Sequence, residues 1–207
     1  MTFKSPHRKR LDSIVIPILK SNSNLRSLDV GSGKKETSYG AGFIKNCTTV
    51  DINEGADIRA DAARMPSISN GSFEFVFSIE AFFSFKEPVL ALGEMNRVLK
   101  KGGKILFTSE YAFCGLQDSS VFGFYSKEAL IYMVEKAGFS EIQIIPMTGF
   151  MGSFGNLLYR KLNYLNKKKF FVFPLLIAPY FFYALDIFRN EKFSSGFVVL
   201  AKKNKNV

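Results

Sequence analysis

Apolar residues recur along this chain in two rhythms that alternate. Short runs rich in β-formers are separated by stretches whose apolar positions repeat at helical spacing. Arg8–Lys20 predicts an amphipathic helix with Leu11, Ile14, Val15, Ile18 and Leu19 inward, bent or shortened at Pro17. Leu25–Val30 predicts a first strand, Glu36–Lys45 a helix, Cys47–Asp51 a second strand and Asp57–Ala60 a short third. Asn70-Gly71 then turns into Phe73–Ser78, a nearly all-apolar run suited to a strand buried on both faces. Pro88–Leu99 predicts a helix, with Val89, Leu92, Met95, Val98 and Leu99 as its inner stripe and Gly102-Gly103 as its stop. Lys104–Thr108 follows as a fifth strand. Ser126 caps a helix through Lys136, with Leu130, Met133, Val134 and Ala137 inward and Gly138 as its stop. Ile142–Ile145 and Phe197–Ala201 complete the strands.

This alternation predicts an α/β fold with a mostly parallel sheet and helices on both faces. The segment between the last two strands breaks the pattern. We therefore expect a basic amphipathic extension at 1–24, a core over 25–146 and 192–207, and a helical insertion over 147–191.

The formal charge of +10 is concentrated in segments. Residues 1–10 carry four Lys/Arg, 160–169 five and 201–207 three, with no acid among them, which leaves 16 basic against 18 acidic residues elsewhere. A near-neutral domain with basic attachments does not have the continuous basic footprint of a nucleic-acid binder, so no nucleic-acid partner is expected. Cys47 and Cys114 have no CxxC spacing and no nearby His, so neither a metal site nor a disulfide framework is expected. His7, the single histidine, lies in the basic N-terminal segment. No secretory signal follows Met1–Arg10, and a reduced, cytoplasmic setting is expected.

The candidate chemistry begins at Leu28-Asp29-Val30-Gly31-Ser32-Gly33, followed by Thr49-Val50-Asp51. Two strands ending in a glycine turn and an acid form the edge at which ribose-bearing ligands bind in α/β folds. Read alone, the glycines make a strand-to-helix turn, and both nicotinamide dinucleotides and S-adenosylmethionine use such an edge. The dinucleotide fingerprint needs a third glycine where this chain has Glu36, which weakens an NAD(P)-dependent oxidoreductase reading.

The ordered motifs along the chain resemble class I S-adenosylmethionine-dependent methyltransferases, in particular the methyltransferase type 11-like group acting on small molecules, lipids and glycans. Besides the glycine motif and Asp51, the resemblance rests on Asp61-Ala62, Phe75-Val76-Phe77-Ser78-Ile79-Glu80, Glu94–Gly103 and Ala137-Gly138-Phe139, over roughly 25–145 and again at 196–203. It implies a Rossmann-like seven-stranded sheet with an antiparallel last strand, S-adenosylmethionine as cofactor and no metal. It also implies that Gly31, Ser32 and Gly33 approach the methionine portion, with Asp29 near its ammonium. Asp51, with Ile52 beside it, would receive the ribose hydroxyls, and Asp61 and Ala62 the adenine. Ser78 and Ile79 would lie beside the methionine moiety. Glycines permit close backbone approach, and a carboxylate facing a vicinal diol accepts two charge-assisted hydrogen bonds.

The chain departs from the group's pattern in three places. Lys35 stands where a third glycine is usual and is expected to crowd the methionine end. Phe83-Ser84 replaces a common Glu-His pair, and Tyr111–Tyr125 lacks the His and Asp-aromatic-aromatic-Arg run of glycan-linked relatives. The remaining candidates for proton acceptance are Glu80 and Asp118, with Tyr111 as an orienting group; Glu80, Phe82 and Tyr111 are expected on the acceptor side. The rival to an active enzyme is a catalytically weak or inactive cofactor-binding protein. A nucleic-acid base methyltransferase is disfavoured because strand four lacks an Asn/Asp-Pro-Pro-aromatic motif.

Arg160–Lys169 carries five positive charges, and the sixteen residues of Phe170–Leu185 carry none. That run is shorter than the ~20 residues of a membrane span and is interrupted by Pro174 and Pro179. We expect 160–188 to contact an anionic membrane surface, with packing on the core, on a second subunit as a homodimer, or over the site as a lid as alternatives. Methyltransferases of surface-polysaccharide pathways resemble this insertion, including Ala184-Leu185-Asp186 and the Gly196–Val199 strand. The resemblance implies an O-methyl transfer to a glycan, lipid-linked intermediate or related small molecule, at the inner membrane face.

Overall fold

Arg26–Val30 forms strand β1, followed along the chain by β2 (Asn46–Asp51), β3 (Ile58–Arg59), β4 (Phe73–Ser78), β5 (Leu99–Glu110), β6 (Phe139–Pro146) and β7 (Gly196–Lys203). The computed structural model describes residues 4–110, 121–167, 175, 177–186 and 191–204. The strands form one sheet in the order β3-β2-β1-β4-β5-β7-β6. β1 to β5 pair in parallel, and β7 runs antiparallel to both of its neighbours, as expected for the last strand. The chain leaves β1 on one side for β2 and β3, then returns to its other side for β4. The β1/β4 boundary is therefore where strand order reverses, and ligands bind outside the carboxyl ends of strands at such a crevice.

Alternating side chains of the central strands feed two cores. Val76, Ile105, Phe107 and Val199 face a cluster completed by helices α2 (Pro88–Val98) and α3 (Lys127–Lys136). Phe75, Phe77, Leu106 and Val198 face the opposite way, onto Leu11, Val15 and Leu19 of α1 (Pro6–Ser21). The N-terminal helix thus covers one face of the sheet. It runs unbroken through Pro17, which sits on its exposed side while the three apolar residues anchor the other.

Two local expectations are corrected. Glu36–Lys45 is not a helix: only a 3-10 turn forms at Lys35–Thr37. Gly42 adopts φ 82°, which no continuing helix accepts, and the Ser38 hydroxyl is committed to Asp29. The fifth strand spans Leu99–Glu110, longer than Lys104–Thr108. Gly102, at φ 73°, does follow the helix stop, but the backbone there bends within the strand, where the pairing register to β4 shifts between Phe73 and Phe75.

The insertion carries helices α4 (Phe150–Lys167) and α5 (Ala178–Ala184) and joins the end of β6 to the start of β7. Because β7 is antiparallel, both junctions lie at the carboxyl edge of the parallel strands. The insertion packs against α1 through Tyr180, whose hydroxyl donates to Lys4 O at 2.8 Å, and through Arg10 Nε, which donates to Met147 O at 3.3 Å.

The Glu94–Arg97 part of the helix-to-strand signature has a structural role. Arg97 Nη2 donates to Met65 O at 2.9 Å, Nη1 to Ile68 O at 2.7 Å, and Glu94 Oε2 accepts from Met65 N at 2.7 Å. One ion pair thereby ties the loop after Asp61 to α2. Arg97→Ala should lower stability by roughly 2–3 kcal/mol, as expected for charged groups that lose buried carbonyl partners. Arg97→Lys should recover less than half, since an ammonium cannot span both carbonyls as a planar fork does. Urea melts of the three proteins check this, and an unchanged midpoint in Arg97→Ala would contradict it.

Candidate cofactor and active site

The turn after β1 passes through Gly31 (φ 78°) and Gly33 (φ 68°), both in the left-handed region. A Cβ on Gly31 would lie 2.6 Å from Ala81 Cβ, so the loops after β1 and β4 meet at backbone distance. Gly31 N donates to Val50 O at 2.9 Å, and Gly33 N donates to Asp51 Oδ2 at 2.8 Å. Asp51 Oδ1 accepts from Asn53 N at 2.8 Å and Asn53 Nδ2 at 2.9 Å. A carboxylate offers about four acceptor directions. One therefore remains for an incoming hydroxyl, and a second opens if the Asn53 amide turns away. Ile52, the next residue, is 60% exposed, an apolar surface beside the carboxylate at the sheet edge. The Ser32 hydroxyl lies 3.5 Å from Gly33 O, a long contact that leaves it available to another partner.

The other expected cofactor residues line the same edge. Asp61 is exposed, and its Oδ1 accepts from Ala63 N at 2.8 Å, so it opens a tight turn with Ala62 buried behind it. Asp29 is buried, and its Oδ2 accepts from the Ser38 hydroxyl at 2.6 Å. Burial pushes its carboxyl up to about 7 against the pull of that hydroxyl, and the nearby charge of Asp51 adds to the rise. Ser78 and Ile79 are buried at the end of β4. The Lys35 ammonium is held by Asp57 Oδ1 at 2.6 Å, on the β3 side.

In the loop after β4, Glu80 has φ 55°, unusual for a residue with a side chain, and its N–H donates to the Thr108 hydroxyl at 2.7 Å. Its carboxylate is paired with Arg8 of α1. Phe82 is fully buried, with its ring against Phe107, Phe85 and Tyr125. Its place is in the wall beneath the site. Tyr111 and Asp118 lie outside the described residues.

The structure also brings in two residues that the sequence reading did not use. Glu110 ends β5 buried at the carboxyl edge, and His7 of α1 is buried beside it. One side-chain atom from each of His7, Glu80 and Glu110 lies within 4.8 Å of the others. Burial pushes the Glu110 carboxyl up to about 7, and burial with the charges of Arg160 and Arg8 holds the His7 imidazole down at about 4. A signal for His7 was present: it continues the i, i+4 stripe of Leu11, Val15 and Leu19. Glu110 carried none beyond its place after an apolar strand.

Residues 28–107 match the family described as methyltransferase domain. Residues 28–107 thus carry a methyltransferase domain, set in the fold of class I S-adenosylmethionine-dependent methyltransferases. The domain match supports S-adenosylmethionine as cofactor over the nicotinamide alternative. No curated protein matches the methyltransferase in sequence. Among solved structures it is similar to the [4+2]-cyclase SpnF, with TM-score 0.65 and 17% identity over 95% of this chain and 82% of that one. It is also similar to a SAM-dependent methyltransferase from Thermotoga maritima, with TM-score 0.59 and 19% identity over 96% and 92%. A third is the Haemonchus contortus phosphoethanolamine N-methyltransferase 2, with TM-score 0.61 and 19% identity over 95% of this chain and 52% of that one. At such identities these likenesses carry the fold, and a cyclase among them underlines that fold alone does not name a reaction.

The glycine cradle, which a Cβ would fill, and the acceptor direction left on Asp51 fit the cofactor. Asp29 yields a pH test. Its carboxyl titrates near 7 in the folded state and near 3.8 when unfolded, so the unfolded chain releases its proton first as pH rises. Its contribution to stability is lost from about pH 4 to pH 7 and is flat above. Asp29→Asn keeps an acceptor for Ser38 and removes this loss. The urea midpoint of the variant should therefore gain on the parent steadily from pH 4 to 7; a constant difference would contradict the assignment.

Proposed function

We propose that this methyltransferase transfers the methyl group of S-adenosylmethionine to an oxygen of a glycan, lipid-linked intermediate or related small molecule, at an anionic membrane surface. The observation that carries the acceptor half of this reading is the outer face of the insertion. Phe150, Phe154, Leu157 and Tyr164 follow one another along α4 at helical spacing and are all exposed, and Phe181 of α5 is 61% exposed. This apolar stripe belongs to the segment that also holds Arg160 and Lys161, at the edge of the sheet where the glycine turn lies. No helix among the described residues is long and apolar enough to cross a membrane, which agrees with contact at its surface.

In this reading Asp51 receives the ribose hydroxyls, Ile52, Asp61 and Ala62 border the adenine, and Gly31, Ser32 and Gly33 border the methionine portion. Asp29 faces its ammonium, and Ser78 and Ile79 back it. Bound S-adenosylmethionine supplies a methyl group on a sulfonium, ready for in-line displacement. The protein's own contribution is to hold donor and acceptor in line and to exclude water, which can lower such barriers by up to ~7–11 kcal/mol. Glu80 stands on the acceptor side, with Phe82 in the wall beneath it.

Incubation with methyl-labelled S-adenosylmethionine and separated glycan and lipid fractions of the source cells should place label in a methyl ether. Asp51→Ala should abolish labelling and weaken S-adenosylhomocysteine binding, read by calorimetry, by roughly 1.5–3 kcal/mol or about 10- to 150-fold. Label in an amine product, or unchanged affinity in Asp51→Ala, would overturn the reading.

The membrane half is tested with phosphatidylglycerol vesicles. Phe150→Ser combined with Phe181→Ser should reduce vesicle binding about tenfold or more. Undiminished binding would refute it, and loss of a concentration-dependent dimer in the same variant would give the stripe to a second subunit.

A further inference from the structure

Two buried polar side chains meet at the carboxyl edge of the sheet with polar atoms left unpartnered among the described residues. Among the described residues neither nitrogen of His7 has a partner, nor has Glu110 Oε2, with 5% and 2% of the residues exposed. Buried polar groups are nearly always satisfied, so such a pair calls for a function or a missing ligand. They come from opposite directions, His7 from the first turn of α1 and Glu110 from the last position of β5. The third member of the group, Glu80, is engaged by Arg8 and held in a strained backbone conformation. That leaves the imidazole and the Glu110 carboxyl facing the same space.

We infer that Glu110 and His7 form a buried proton-accepting pair at the acceptor end of the methyl-transfer site, Glu110 taking the acceptor's proton and His7 positioning it. The inference rests on the oxygen-acceptor reading above. As the acceptor oxygen bonds to the methyl carbon, the carbon–sulfur electron pair stays on sulfur and the hydroxyl proton passes to the Glu110 carboxylate. The products are a methyl ether, S-adenosylhomocysteine and a protonated carboxyl. Drawn together with the acceptor bound, a neutral imidazole can donate to the carboxylate before this step and, in its other tautomer, accept from the carboxylic acid after it. The N-terminal helix thereby provides the histidine that the turn after β4 lacks.

The charges around the pair support proton rather than metal chemistry. Arg8 from α1 and Arg160 from α4 act on both His7 and Glu110, and Glu80 from the end of β4 faces them. Tyr183 from α5 lies in the field of the same Arg160. Two carboxylates already opposed by two guanidiniums leave no net negative charge for a divalent cation to neutralise. Burial raises the Glu110 carboxyl to about 7, which suits a base working near neutral pH, and holds His7 neutral above about 4.

Because His7 is the single histidine, its imidazole can be followed in the full chain by 1H–15N correlation spectra from pH 4 to 8. It should remain neutral to below pH 5. In Glu110→Gln its nitrogen shifts and tautomer ratio should change, and with S-adenosylhomocysteine bound the dependence on Glu110 should persist. An imidazole that titrates near 6.5 and ignores Glu110→Gln would overturn the proposal. So would a Zn2+- or Mg2+-induced shift that Glu110→Gln removes, because it would make the group a metal site. On the labelled fraction, Glu110→Gln should cut kcat about 10²- to 10³-fold with the S-adenosylmethionine KM unchanged and flatten the acidic limb of the pH profile, and His7→Asn should shift that limb without removing it. If no oxygen acceptor is labelled while the imidazole still answers to Glu110, the acceptor reading fails and the proton-sharing pair stands.

Discussion

The carboxyl edge of this sheet depends on one close approach, that of Gly31 to Ala81. With no side chain on Gly31, the turn after β1 presses directly against the loop after β4, where a Cβ would come within 2.6 Å of Ala81 Cβ. The rest of the site takes its position from that contact. Gly33 follows in the same left-handed turn and aims its N–H at Asp51, which orients the carboxylate at the end of β2. On the far side, Glu80 leaves β4 at a positive φ, fixed by the Thr108 hydroxyl, and projects towards α1. The two rims of the crevice are thus set by backbone geometry, with the side chains oriented from it.

Helix α1 is placed by tertiary burial against its own local electrostatics. Its first turn carries His7, Arg8 and Lys9 and no acid, where the helix dipole favours negative charge. Leu11, Val15 and Leu19, all fully buried on Phe75, Phe77 and Leu106, hold the helix in place. The carboxylates missing from the turn are provided by Glu80 and Glu110 at the ends of β4 and β5. Local rules that fail in this way while the global packing succeeds mark sites of function.

The insertion has two unlike faces. Inward, Gly155 lets α5 approach α4 so closely that a Cβ there would sit 2.9 Å from Pro179 O, and Asp186 accepts from Gly149 N at 2.8 Å. This ties Asp186, singled out in Ala184-Leu185-Asp186, to the start of α4. Outward, aromatic residues remain exposed. An inner face packed through glycine leaves the large apolar side chains on α4 and α5 with water on their outer side, the arrangement that any surface-binding role of this segment would use.

Strand positions, the mostly parallel sheet, and the glycine turn with Asp51 were legible in the residues, because each rests on local spacing: period two, period 3.6, or a turn that only glycine adopts. The missing helix at Glu36–Lys45 was less legible, since Ser38 is drawn off by Asp29, nine residues earlier in the chain. Phe82 as core wall, Lys35 tied to Asp57, and the meeting of His7 with Glu110 were not legible at all. The last of these joins residues more than a hundred positions apart, and no local pattern encodes which helix start will lie over which strand end. The sequence by itself determined the alternation that builds the sheet and the glycine turn at its edge, and its resemblance implied the cofactor. The tertiary structure alone decided which buried acid and imidazole meet, because desolvation and the fields of Arg8 and Arg160 exist only once α1 and α4 have closed over the strand ends.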